Sequence, residues 1–248
     1  MRTMRRVFAA SVAVAALVGA FVLPAANATP GDVRTYRVTV TNLTDGQPFT
    51  PLLFATHRAN ADVFSVGSTA SFGVKEIAEN GNLGPLDMAL RATTGVSGVY
   101  KGMVPLVPAG LPGSGVGPDS VTFEISGAAG ARRLSWVSML ICTNDGFTGL
   151  DSLKLPRALG ESLTVGTAGY DAGTEINTED FADIVGPCQG LVGVSTGETG
   201  SGTSNPLLAE GGVIHHHPGI DGGSDLLTTT HGWDVNAPVA EVTVERIV

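Results

Sequence analysis

Four carboxylates sit where short apolar runs give way to glycine-containing turns, and acids placed like this are ligands for hard cations. Residues 134–142 (LSWVSMLIC) form an apolar run that stops at Thr143-Asn144-Asp145-Gly146, with Asp151 six residues past Asp145. The run is rich in β-branched, aromatic and long apolar side chains and is too short for an independent helix. Asn-Asp-Gly tolerates positive φ, so a strand should deliver Asp145 to a turn. Farther on, the short apolar segment 163–165 leads into Tyr170-Asp171-Ala172-Gly173-Thr174-Glu175, which repeats the arrangement. Calcium takes about six to eight oxygens, at about 2.3 to 2.6 Å, from carboxylates, carbonyls and water on flexible loops. Asp145, Asp171 and Glu175 meet that demand if both loops lie at one end of a sheet. Asp151 either joins them or braces the loop backbone as an Asx turn. Solvated acids holding no ion are the alternative.

Two other stretches carry chemistry of a different kind. Residues 213–218 (VIHHHP) hold three consecutive histidines, and His231-Gly232-Trp233 follows. In an extended chain His215 and His217 project to one face and His216 to the other, so His215 and His217 with His231 could hold zinc. No helical His pair or acidic base completes a hydrolytic set. Gly193-Val194-Ser195-Thr196-Gly197 matches the G-x-S-x-G nucleophile pattern. That elbow needs a strand before the serine and a helix after it, and the following ETGSG is a poor helix former. An exported metal-dependent or serine hydrolase is therefore the competing class. His57, alone at the end of an apolar segment, reads as structural.

The elements that must position these groups are mostly strands. Residues 33–40 and 239–248 alternate polar and apolar residues, and 52–56 is a further short strand. Residues 120–126 (SVTFEIS) alternate too. Val121, Phe123 and Ile125 share one face there, which leaves Glu124 on the other with Thr122. A turn over 127–131 is expected to pair this strand with 134–142 and bring Glu124 into the sheet that carries Asp145. Helices are predicted over 70–80, with Gly81 as the stop, and over 85–91, with proline in the first turn. Residues 104–119, and the Gly/Ser/Thr-rich stretch from 186 to 206, read as loops.

The first 28 residues have the form of a secretory signal: Arg2, Arg5 and Arg6, an apolar stretch over 7–23, and Ala26-Asn27-Ala28 as the cleavage site. A membrane anchor is the alternative for this segment. Cleavage after Ala28 would leave one domain over 29–248. The whole chain has 14 basic and 23 acidic residues, and the signal holds three of the bases and none of the acids, so the mature formal charge is 11 − 23 = −12. Such a surface repels phosphates and disfavours nucleic acid while attracting cations. Cys142 and Cys188 are the only cysteines. In an oxidising compartment an even count usually means pairing, which predicts one disulfide; two buried free thiols are the alternative.

Residues 51–81 (PLLFATHRANADVFSVGSTASFGVKEIAENG), 138–153 (SMLICTNDGFTGLDSL), 170–176 (YDAGTEI) and the final VAEVTVERI resemble, in order, successive blocks of the spondin amino-terminal domain found in F-spondin and mindin. The resemblance covers nearly all of the mature chain and extends to secreted prokaryotic members. It implies an antiparallel β-sandwich related to the C2 domain, no enzymatic activity, and a Ca²⁺ site at one end of the sandwich. The family's ligands fall on Glu124, Asp145, Asp171 and Glu175, with Asp151 a less certain addition. Asn144-Asp145-Gly146 departs from the family's Pro-Asp-Trp form, and Glu175 stands where Asp is usual. The animal domain's cysteines do not align with Cys142 and Cys188, so that pairing rests on compartment alone. The function implied is a secreted or periplasmic calcium-binding adhesion or ligand-binding module whose partner is an extracellular or cell-envelope protein or glycan.

Overall fold

The structure is a computed structural model that describes residues 33–248; the signal segment expected over 1–28 lies outside the described residues. Among the described residues, ten strands form two antiparallel sheets. The smaller sheet contains β1 (Val33–Asn42), β4 (Ser120–Ala128), β7 (Ser162–Thr167) and β10 (Ala240–Arg246), in the order β4-β1-β10-β7. The larger contains β2 (Leu53–His57), β3 (Val96–Lys101), β5 (Arg133–Met139), β6 (Gly146–Lys154), β8 (Gly169–Asp171) and β9 (His215–His216), in the order β3-β2-β5-β6-β8-β9. The fold is thus mainly β, an antiparallel sandwich.

The larger sheet is covered on both faces, so β2 and nearly all of β5 are continuously buried. Phe54, Leu134, Trp136 and Leu140 face the smaller sheet and pack with Tyr36, Val38, Phe123, Ile125, Val242 and Val244. Leu53, Ala55, Val137 and Met139, on the opposite side of the pleat, pack under a layer of helices. That layer contains α1 (Phe72–Asn80), α2 (Gly84–Ala92) and α3 (Pro187–Val192), while α4 (Thr228–His231) lies near the chain's end. The smaller sheet is covered on one face only, so its strands alternate, with Thr39, Thr122, Thr164 and Thr243 outward in hydroxyl contact across the strands.

Helix α1 forms where the sequence predicts it, for identifiable local reasons. Ser71 caps its first turn by accepting the Val74 N–H at 3.2 Å. Gly81 ends it in the left-handed conformation, φ 64°, where a side chain would be strained. Val74, Ile77 and Ala78 turn inward onto the larger sheet.

One expected pairing is wrong. β4 does not form a hairpin with β5; it pairs with β1 in the smaller sheet, while β5 lies between β2 and β6 in the larger. The short connection crosses the sandwich instead of turning back. Phe123 of β4 therefore meets Phe54 edge-on at 4.9 Å from across the core, rather than from a neighbouring strand. The residues after Gly146 are also strand, β6, so Asp151 lies within a sheet and not in a loop.

Candidate metal site

Cys142, Thr143 and Asn144 make the bend between β5 and β6, and the register of β6 with β8 sets Gly146 opposite Asp171. This pairing brings the two acidic loops together. Thr143 shapes the bend: its hydroxyl donates to the Leu140 carbonyl at 2.7 Å and accepts the Gly146 N–H at 2.9 Å. Asn144 and Asp145 then fasten the bend to residues 172–179. The Asn144 amide oxygen accepts the N–H groups of Thr178 (3.1 Å) and Glu179 (3.3 Å). Asn144 is thus more than a substitute for the family's proline, since it anchors the second loop.

Asp145 is fully buried. Its Oδ2 accepts the backbone N–H groups of Thr174 (2.7 Å) and Glu175 (3.0 Å) and the Thr174 hydroxyl (3.1 Å). Its Oδ1, equally buried, has no hydrogen-bond partner among the described residues. Burial, and then the neighbouring Asp171 charge, push the carboxyl up to about 6 despite the loop N–H groups that favour its ionised form.

Asp171 is also fully buried; Oδ1 accepts the Gly173 N–H and Oδ2 the Asn177 side-chain amide, both at 2.7 Å. Gly173 has φ 67°, and a Cβ there would lie 2.6 Å from the Val213 backbone, so the loop needs glycine at this point. His215 Nδ1 lies 3.8 Å from Asp171 Oδ1. Glu175 is buried and accepts the Asn205 N–H at 3.0 Å. Burial raises its carboxyl to about 7; the Asn205 N–H opposes this, the charges of Glu79 and Asp145 add to it, and the Lys75 ammonium relieves it.

Glu79 is the residue that sequence reasoning missed. It is 3% exposed, its Oε2 is buried with no partner among the described residues, and its Oε1 contacts the Lys75 ammonium. A Lys/Glu pair four apart on a helix reads as a solvated surface pair. Here Asn80 donates to Ser204 Oγ at 3.1 Å, setting the segment that caps Glu175 against the end of α1.

The remaining predicted residues lie elsewhere. Glu124 is exposed on the outer face of the smaller sheet, opposite Arg37, so it points away from the sheet that carries Asp145. Asp151 braces backbone, as its Asx-like alternative supposes, but at another place: Oδ1 accepts the Val63 N–H at 3.1 Å and the Ser135 hydroxyl at 3.0 Å. His57 is buried in the same network, with Nε2 2.7 Å from Ser135 Oγ and Nδ1–H donating to the Arg58 carbonyl at 2.8 Å. The disulfide forms between Cys142 and Cys188, with Cα atoms 5.1 Å apart. It ties the Asp145 bend to α3, and Gln47 holds the Cys142 N–H and carbonyl through its side-chain amide.

Among the described residues, two trios of potential ligand atoms lie within 4.8 Å of one another: Cys142, Cys188 and His231, and Asp180, Glu198 and Asp225. The first contains the disulfide, and His231 Nδ1 is occupied by the Leu227 N–H at 2.9 Å. Asp145, Asp171 and Glu175 are not drawn that close as a set. An ion seated on Asp145 would complete its shell with water, carbonyls or a shifted Glu175. The zinc trio of the alternative is not assembled: His215 is exposed beside Asp171, His217 is buried against Trp233, and His231 packs on Phe181. Ser195 donates to Gln189 Oε1 at 2.6 Å in a loop that follows α3, with no strand leading into it.

No match to a curated protein was found. Residues 40–181, more than half of the 248, match a family described as Spondin_N, a span that runs from β1 through both acidic loops. The chain therefore belongs to the Spondin_N family.

Proposed function

We propose that this chain is a secreted, non-catalytic Spondin_N module that binds Ca²⁺ between its two acidic loops and engages an extracellular or cell-envelope protein or glycan. The observation that carries the reading is Asp145 Oδ1: a fully buried carboxylate oxygen without a partner among the described residues, beside two further buried acids. An orphaned charge of this kind is costly, and a bound cation would satisfy it. Asp145, Asp171 and Glu175 would hold the ion, each already oriented by loop N–H groups. Glu124 and Asp151 have no part in it.

Secretion draws support from the Cys142–Cys188 disulfide and from family membership. The non-catalytic reading draws support from the family and from the commitment of Ser195 to Gln189. Isothermal titration of chelator-treated protein tests the proposal. One Ca²⁺ per chain is expected, lost in Asp145→Asn. Stoichiometric zinc with hydrolytic turnover, or wild type that takes up no calcium, would overturn it.

A further inference from the structure

The Lys75–Glu79 pair has no evident reason to be buried unless it serves the acids around it. Glu79 is almost entirely covered, yet its carboxylate uses one oxygen on Lys75 and leaves the other without a partner among the described residues. The helix end that carries it touches the segment capping Glu175, through Asn80 and Ser204 on one side and Asn205 on the other. Lys75, the only one of these charged groups that is positive, is itself partly exposed, with one-third of its side chain in solvent. It therefore has room to swing outward without crossing the core.

We propose that Lys75 is a tethered counter-cation for the carboxylate cluster, and that Glu79 is a further ligand which Lys75 releases when a divalent cation binds. The inference rests on the calcium reading above. In the cation-free protein the ammonium offsets one of four buried carboxylates, Glu79, Glu175, Asp145 and Asp171. A divalent ion seated among them repels the ammonium, and Glu79, whose Oε2 has no other partner, turns toward the ion. The ammonium thus competes with the metal from within the chain, and it sets the affinity below what four carboxylates would otherwise give, because affinity at such sites follows ligand charge. Lys75 is also why Glu79 tolerates burial before the ion arrives.

Calcium affinity measured by titration on wild type, Lys75→Gln, Lys75→Arg and Glu79→Gln tests this. Lys75→Gln should bind calcium on the order of tenfold more tightly, since a positive charge is removed from the ion's vicinity. It should also melt lower than wild type in chelator and show a larger calcium-induced rise. Lys75→Arg should stay near wild type, and Glu79→Gln should bind on the order of tenfold more weakly. A merely structural Lys75 would lower the melting point without tightening calcium, and that result overturns the inference. So does unchanged affinity in Glu79→Gln. Should Lys75→Gln fail to fold, the double variant Lys75→Gln/Glu79→Gln removes the pair together; affinity below that of Glu79→Gln alone would contradict the competition. Absence of calcium binding in the wild type refutes the underlying site, whereas wild-type binding that Lys75 and Glu79 do not influence refutes this inference alone.

Discussion

Replacing Asp145 by Asn should stabilise the calcium-free protein and destabilise the calcium-loaded one relative to wild type, a crossing that a purely structural aspartate would not give. The Asp145 carboxyl stands at about 6 in the fold against an ordinary 3.8. An acid whose folded value is raised lends stability that is fully present below the unfolded value and is lost as the pH climbs through the folded one. For Asp145 the window runs from about 4 to about 7, and the full loss is on the order of 3 kcal/mol. About 2 of those develop between pH 4.5 and 7.5. An asparagine side chain keeps an oxygen for the Thr174 and Glu175 N–H groups and carries no charge, so it escapes the loss. Calcium restores about 2.7 kcal/mol to the wild type at a hundredfold excess over Kd and about 4.1 at a thousandfold, while the Asp145→Asn variant gains little. His217, lowered from 6.5 to about 4 by burial, runs in the opposite sense: its contribution is fully present above 6.5 and is lost as the pH falls through about 4. It is common to both proteins and cancels in their difference. Urea unfolding followed by Trp136 and Trp233 fluorescence at pH 4.5, 6.0 and 7.5, calcium-stripped and calcium-saturated, reads that difference directly. A calcium-free difference that is flat with pH, or that favours wild type at pH 7.5, would refute the argument.

The other expectations concern residues around the site. Reducing the disulfide, or replacing Cys142 and Cys188 by Ser, should cost about 3 to 4 kcal/mol in urea unfolding, and titration should show weaker calcium binding because the closed loop contains Asp145, Asp171 and Glu175. Asp151→Ala should lose about 1 to 3 kcal/mol by leaving the Val63 N–H and the Ser135 hydroxyl without their acceptor, with calcium affinity unchanged. Glu124→Gln should shift stability by less than about 0.5 kcal/mol and leave calcium affinity where it was.

What the sequence reveals of this molecule is the part set by neighbouring residues. Ser71 and Gly81 mark the ends of α1, and Asn144-Asp145-Gly146 and Asp171-Ala172-Gly173 announce turns that do carry buried acids. Strand partnership is not local. The 127–131 connection has hairpin length, yet the packing of Phe123 on Phe54 and, at 3.6 Å, on Tyr100 sends β4 to the other sheet and takes Glu124 with it. β6 is hidden for a different reason: GFTGLDSLK is rich in glycine and polar residues and bends at Ser152, φ 55°, so it reads as loop although β5 holds it from residue 147 to 154. Asp151 consequently reads as a neighbour of the Asp145 turn when it lies down the strand. Glu79 escapes because nothing in a helical Lys/Glu spacing says that a loop 124 residues beyond Asn80, at Ser204, will cover it.

Anomalous diffraction from crystals grown in calcium tests the central claim most directly. A peak about 2.3 to 2.6 Å from Asp145 Oδ1, with Asp171 and Glu175 among its protein ligands, is the predicted result. A calcium peak among Asp180, Glu198 and Asp225 with none at Asp145, or none anywhere at a concentration that saturates the protein's calcium response, would contradict it.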